Sequence, residues 1–162
     1  MITGFHEDEQ GDWVAELSCL HSQHVRHRPP FRERPWVMTD AGRASRLGTE
    51  LDCPLCDRAE QPEDLVVVRT AGPFDAETLP AGLRRTHLVA DRTWGELRVE
   101  AGSVRIELET EPVIDRLLVA GAHQAIPPLV PHRLHLDGPV VLAVDFLVRG
   151  DDSAATRTST SP

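Results

Sequence analysis

Trp94-Gly95-Glu96-Leu97-Arg98-Val99-Glu100-Ala101-Gly102-Ser103-Val104-Arg105-Ile106-Glu107-Leu108 carries a clear strand signal in the second half of the chain. Apolar and charged residues alternate through it, the period of a strand with one face buried. Leu97 and Val99 alternate with Glu96, Arg98 and Glu100; Val104, Ile106 and Leu108 alternate with Arg105, Glu107 and Glu109. Ala101-Gly102 lies between the halves and predicts a hairpin turn. A second hairpin is expected from His132-Arg133-Leu134-His135-Leu136 through Asp137-Gly138-Pro139 into Val140–Val148. Leu65–Val68 and Leu83–Val89 supply two more strands, and Pro73, Pro80, Pro112, Pro127, Pro128, Pro131 and Pro139 leave little room for helix. Short strands with regular turns mean a sandwich or jelly-roll β-barrel over residues 63–149.

That barrel places histidines inside. If Leu134 and Leu136 face the interior, so does His132, because strand side chains alternate. Gly121, Pro127 and His132 match the second metal-binding motif of cupins, with Leu129 where a glycine is usual. Of the first motif, Gly102 fits the terminal glycine, but the His-x-His pair is missing and Gly95 stands where its Glu would be. Leu79-Pro80-Ala81-Gly82-Leu83, Arg85-x-His87, Trp94-Gly95-x-Leu97-x-Val99, Ile126-Pro127-Pro128, His132 and Val144-Asp145-Phe146 carry a closer likeness. Over roughly residues 70–148 the chain resembles the TehB/YeaR-like, tellurite-resistance-related cupins.

The resemblance implies a barrel metal site of His87, His132 and Asp145, holding a divalent ion such as Zn, Fe, Mn or Ni. His135 stands where that family usually has Glu and is an additional candidate ligand. The resemblance also implies a small molecule or oxyanion as partner and pairing of two copies through the cupin. It brings no methyltransferase, since no glycine-rich nucleotide loop is present. Trp94 is expected to plug the barrel and His123 to lie on the surface.

Upstream, residues 1–60 read as a separate module. Gly4-Phe5-His6 and Trp13–Leu17 flank a polar stretch and predict a hairpin with Trp13, Ala15 and Leu17 on one face. Val25–Trp36 holds three prolines and no helical period, and Thr39 or Asp40 caps a short helix running toward Gly48. So little apolar material makes a marginal core, and a domain this small usually needs a staple. The three cysteines supply one. Cys19-x-His21 and Cys53-x-x-Cys56 offer three thiolates and an imidazole, a common closed zinc set. His24 and His27 are each able to replace His21. The module resembles a small bacterial family of zinc-finger-like domains on Gly4-Phe5-His6, Gly11–Leu17, Cys19-x-His21, His24–His27, Arg34-Pro35-Trp36-Val37 and Leu51–Cys56. That resemblance implies no activity.

Between His24 and Arg46 six arginines face only Glu33 and Asp40. Arg26, Arg28, Arg32, Arg34 and Trp36 are therefore candidates for a partner surface, such as one that stacks bases. The competing reading pairs them with the acidic remainder of the chain. A net charge of −9 argues against a nucleic-acid or membrane-surface protein. No apolar run approaches the ~20 residues of a membrane span. Met1–Glu9 lacks the basic and apolar regions of a signal peptide, and clustered, odd-numbered cysteines suit a reducing cytoplasm. Residues 150–162 are expected to be a disordered tail.

The sequence thus predicts a mainly β protein: a small zinc-stapled finger or ribbon-like module, then a jelly-roll cupin barrel. The leading function is a metal-binding cupin of the tellurite-resistance or stress-response type. One alternative is a metal-dependent cupin enzyme (oxygenase, isomerase or hydrolase). The other is an adaptor that binds nucleic acid or protein through its Arg-rich finger.

Overall fold

A computed structural model describes residues 1–150 of the chain, so the tail expected to be disordered lies outside the described residues beyond Gly150. Two compact units follow one another, Met1–Cys53 and the part from Pro54 onward. The protein is mainly β, and among the described residues no helix is long and apolar enough to cross a membrane.

In the first unit, β1 (Ile2–Glu7), β2 (Trp13–Leu17) and β3 (Ser22–His24) form an antiparallel sheet in chain order. The Asp8 carboxylate accepts hydrogen bonds from the backbone N–H groups of Gln10 and Asp12 (2.8 and 2.9 Å), which fixes the expected β1–β2 turn. The core consists of Ile2, Ala15, Leu17, Val25 and Val37, ringed by the half-buried Phe5, Trp13, Trp36 and Leu51. Pro35 opens a single 3-10 turn through Met38. Thr39 then caps α1 (Asp40–Ala44), its hydroxyl accepting from Gly42 N–H at 3.1 Å. The helix stops at Ala44, short of the expected Gly48, and tight turns carry the chain on.

The second unit holds β4 (Leu65–Asp75), β5 (Trp94–Leu108), β6 (Ile114–Val119), β7 (His123–Ile126), β8 (His132–His135) and β9 (Val140–Arg149). The hairpin expected at Ala101-Gly102 is absent, because β5 runs straight through its 15 residues. Its register against β9 slips between Val99 and Ala101, and Gly102 takes φ +71° there. A side chain at Gly102 would meet the Pro139 carbonyl at 2.0 Å. The glycine therefore makes a bulge that bends one strand rather than a turn that joins two.

On either side of that bend β5 serves different neighbours. Residues 94–102 pair with β9 and β7, while residues 103–108 pair with β6 and β8. Since β4 lies outside β9, one long strand knits a β4-β9-β5-β7 layer to a β6-β5-β8 layer in a jelly-roll-like sandwich. The predicted 132–148 hairpin is likewise replaced: β8 and β9 both pair with β5 and not with each other. Between the layers lie Leu97, Val99, Ile106, Leu108, Leu134 and Leu142, all nearly solvent-free.

Leu83–Val89 is not a strand either. Leu83 and Arg85 bond back to the carbonyls of Pro80 and Gly82, closing a 3-10 turn over Ala81–Arg84. Only His87 reaches a strand, through an isolated bridge to His132.

Candidate metal centre and barrel cavity

The first site is built where β2 ends. After Leu17 the chain turns tightly, with Leu20 at φ +70° and its N–H bonded to the Leu17 carbonyl at 2.8 Å. This turn sets Cys19 and His21 side by side, with His21 buried to 5% exposure. The second pair arrives just ahead of and within α2 (Pro54–Asp57), where Pro54 suits a first helical position, which lacks an intrahelical N–H partner.

The ligand atoms of Cys19, His21, Cys53 and Cys56 all lie within 4.8 Å of one another, and the four form a group that could hold a metal ion. His21 Nδ1 is 3.6 Å from Cys19 Sγ and 3.4 Å from Cys53 Sγ. Zinc–sulfur and zinc–nitrogen bonds of ordinary length put a tetrahedron's S···N edge at about 3.6 Å. The donor set and its spacing therefore fit zinc. Burial pushes the His21 ring toward its neutral form, but hydrogen bonds and charge from Cys19 and Cys53 outweigh this and raise its pKa to about 9. The cluster thus favours a positive charge at its centre, as a cation site should.

The alternative imidazoles are engaged elsewhere. His24 Nε2 meets Asp8 at 2.8 Å, and His27 Nδ1 accepts the Arg34 N–H at 2.8 Å. Part of the Arg-rich stretch is engaged within its own unit. Arg26 and Arg28 reach Asp12 at 2.6 and 3.8 Å, while Trp36 packs edge-on to Phe5 with centroids 6.0 Å apart. Arg32 stays exposed.

The second unit carries a half-open cavity of about 1250 Å³, walled mostly by aliphatic side chains, several of them exposed at its mouth. His87 and His132 both line it. Each ring is oriented by its own backbone, His87 Nδ1 to Arg85 O at 2.9 Å and His132 Nδ1 to Val130 O at 2.8 Å. Because a carbonyl accepts, Nδ1 carries the proton in both rings and Nε2 is left for a ligand. Burial holds His132 neutral, lowering its pKa to about 4, with the His87 charge adding to the effect.

Asp145 does not join them, which corrects the expected His87, His132, Asp145 set. Its neighbours Val144 and Phe146 line the cavity, so alternation sends Asp145 to the opposite face of β9. There it accepts from Arg98 Nε at 2.7 Å and from the Thr70 hydroxyl at 2.5 Å. The Arg98 hydrogen bond holds its carboxyl below the usual carboxylate range. His135 also faces away, 3.5 Å from Glu107. Trp94 is fully buried, and His123 sits on the surface, 2.7 Å from Glu96. Among the described residues, the Cys19, His21, Cys53 and Cys56 group is the one cluster of three or more such side chains spaced to hold a metal.

A cavity residue that alternation misses is Arg69. Counting from Leu65 would put it on Val67's face, the face of Leu147. Instead β4 slips against β9, with Val67 opposite Leu147 but Arg69 opposite Phe146, leaving Val68 as the extra residue. The slip puts Arg69 on the face of Val144 and Phe146, where it is solvent-exposed at the cavity mouth with its guanidinium 4.1 Å from the Phe146 ring centroid.

Both units match known families. Residues 3–60 match the family described as a protein of unknown function (DUF3565), and residues 69–144 match the TehB-like domain. The chain is a DUF3565 unit followed by a TehB-like domain. No curated protein matches it. Among solved structures, TehB from Haemophilus influenzae is similar at a TM-score of 0.54 and 18% identity, over 61% of this chain and 36% of that one. The chain therefore spans about a third of that relative's length, and the likeness is one of fold. A protein from E. coli strain K12 is similar at a TM-score of 0.48 and 23% identity, over 54% of this chain and 94% of that one. An RmlC-like cupin from Shewanella frigidimarina reaches 0.33 and 21% identity, over 41% and 58%. The TehB-like domain is thus the part that carries the cavity, and the DUF3565 match covers all four residues of the metal-binding group.

Proposed function

We propose that the protein is a small-molecule binder of the cupin type. Its ligand site is the cavity of the TehB-like domain, and its N-terminal unit is stapled by one structural zinc. One observation carries the first half: a cavity of about 1250 Å³ whose two histidines have their Nδ1 protons committed to backbone carbonyls. Small-molecule sites are roughly 300–1,000 Å³, mostly apolar, with a few fixed polar groups. This cavity has that make-up with room to spare. Two imidazoles fall one protein ligand short of the usual three-ligand catalytic site. The histidines are accordingly read as hydrogen-bonding groups for a ligand rather than as the expected second metal site. The TehB resemblance supports a setting in tellurite or other chemical stress.

The zinc reading rests on donor chemistry and on the thinness of the core it would brace. Cys19, His21, Cys53 and Cys56 would fill all four positions, so the ion would supply a crosslink and no open coordination site.

The apolar dye N-phenyl-1-naphthylamine tests the cavity. Binding with a strong fluorescence rise is expected for the wild-type protein. Val66→Trp should abolish it, because Val66 lines the cavity yet is 40% exposed and can take an indole without disturbing the core. Equal binding by the wild-type and Val66→Trp proteins would overturn the reading.

A further inference from the structure

The cavity's charge is one-sided in a way that names its ligand. Its lining contains one permanent cation, Arg69, and no carboxylate, although the whole chain carries a net charge of −9. Arg69 stands on the same sheet face as Phe146 and Val144, at the cavity mouth. Among the described residues no carboxylate lies within ion-pairing distance of it, whereas the outward-facing Arg98 is paired with Asp145 at 2.7 Å. Its guanidinium stacks on the Phe146 ring. A guanidinium stacked on an aromatic face keeps its edge N–H groups for a planar anion, and that edge matches a carboxylate in a two-pronged hydrogen bond.

Apart from Thr93 and the two histidines, the rest of the wall is apolar and unsuited to a bare oxyanion. Ala71, Phe74, Leu97, Ile126, Leu134 and Val144 offer no hydrogen bond from their side chains. A small hydrated anion would lose its water against them without replacement. A ligand with an apolar body and a single anionic head satisfies both parts of the cavity.

We infer that the ligand is an apolar-bodied organic acid, its carboxylate held by Arg69 and its hydrocarbon part lying against the β4–β9–β5 wall. The inference rests on the cavity being a ligand site and adds the charge and shape of what enters. His87 and His132 then serve a hydroxyl or amine on the same molecule, since an unprotonated Nε2 accepts a hydrogen bond.

Displacement of N-phenyl-1-naphthylamine by decanoate and by decanol tests it, because the two competitors share a body and differ in charge. Decanoate should displace the dye at a concentration about tenfold lower than decanol, the scale of one charge-assisted hydrogen-bonded pair. In Arg69→Gln the ratio should fall to about twofold or less, and Arg69→Lys should restore part of it. Comparing two competitors on the same variant cancels any change in the dye's own affinity. Equal competition in the wild-type protein, or an undiminished ratio in Arg69→Gln, overturns the inference while leaving the cavity reading intact. Dye binding that Val66→Trp does not affect overturns both.

Discussion

His87 and His132 are joined by two backbone hydrogen bonds, each 3.0 Å, and their ring centroids lie 4.1 Å apart. The bridge fixes one imidazole on a loop and the other on β8 as a pair on the cavity wall. No regular strand is needed around His87, because the 3-10 turn over Ala81–Arg84 hands the chain to the bridge directly.

The pairing has a pH consequence. His132 is buried and held neutral, its pKa lowered from 6.5 to about 4 by burial, with His87 as the neighbouring titratable group. In the unfolded chain the ring takes up a proton below about 6.5, while in the folded chain it resists until about 4. The stabilisation is therefore complete above the higher value and is lost as pH falls toward the lower one. Denaturant unfolding of the second unit should show a loss of about 3 kcal/mol between pH 7 and pH 4. His132→Phe should flatten that slope, and an unchanged slope would count against the burial argument.

Asp145 is expected to matter for stability and not for metal content. It accepts from Arg98 and Thr70 on the outer face, and the half-exposed Arg98 limits the pair's worth. Asp145→Ala should destabilise the second unit by about 1–2 kcal/mol at pH 7. Because the carboxyl pKa is depressed, this contribution is present above about 3.8 and disappears as pH drops further. Unfolding curves of the variant and the wild-type protein should converge toward that acid limit.

Two backbone positions should respond in opposite directions. Gly102→Ala places a methyl group against the Pro139 carbonyl at a positive φ, and a loss of about 2 kcal/mol or more in unfolding free energy is expected. Leu129 stands where the cupin motif usually has glycine, and it adopts φ +60° while half-exposed. Leu129→Gly relieves the left-handed strain at little cost in burial, so its melting temperature should rise or hold.

Much of this architecture was legible in alternation. The β1–β2 hairpin and the inward face of His132 follow from period, and spacing marks the three cysteines of the metal group, but the choice of His21 over His24 and His27, and of Thr39 over Asp40 as cap, took the structure. What alternation hides is a bulge, because one extra residue exchanges the faces of everything beyond it. At Gly102 that turned an expected hairpin into one continuous strand. At Val68 it brought Arg69 to the cavity mouth unannounced. Asp145 shows the reverse lesson: no bulge intervenes between Val144 and Phe146, so the sequence period already placed it outside, and the family resemblance placed it inside.

Metal content of the purified protein decides whether one ion sits on Cys19, His21, Cys53 and Cys56 while the cavity binds its ligand without one. About one zinc per chain is expected in the wild-type protein and in His24→Ala and His132→Ala, and none in Cys53→Ser or His21→Ala. Two ions per chain, a loss of metal in His132→Ala, or retention in Cys53→Ser would contradict the account.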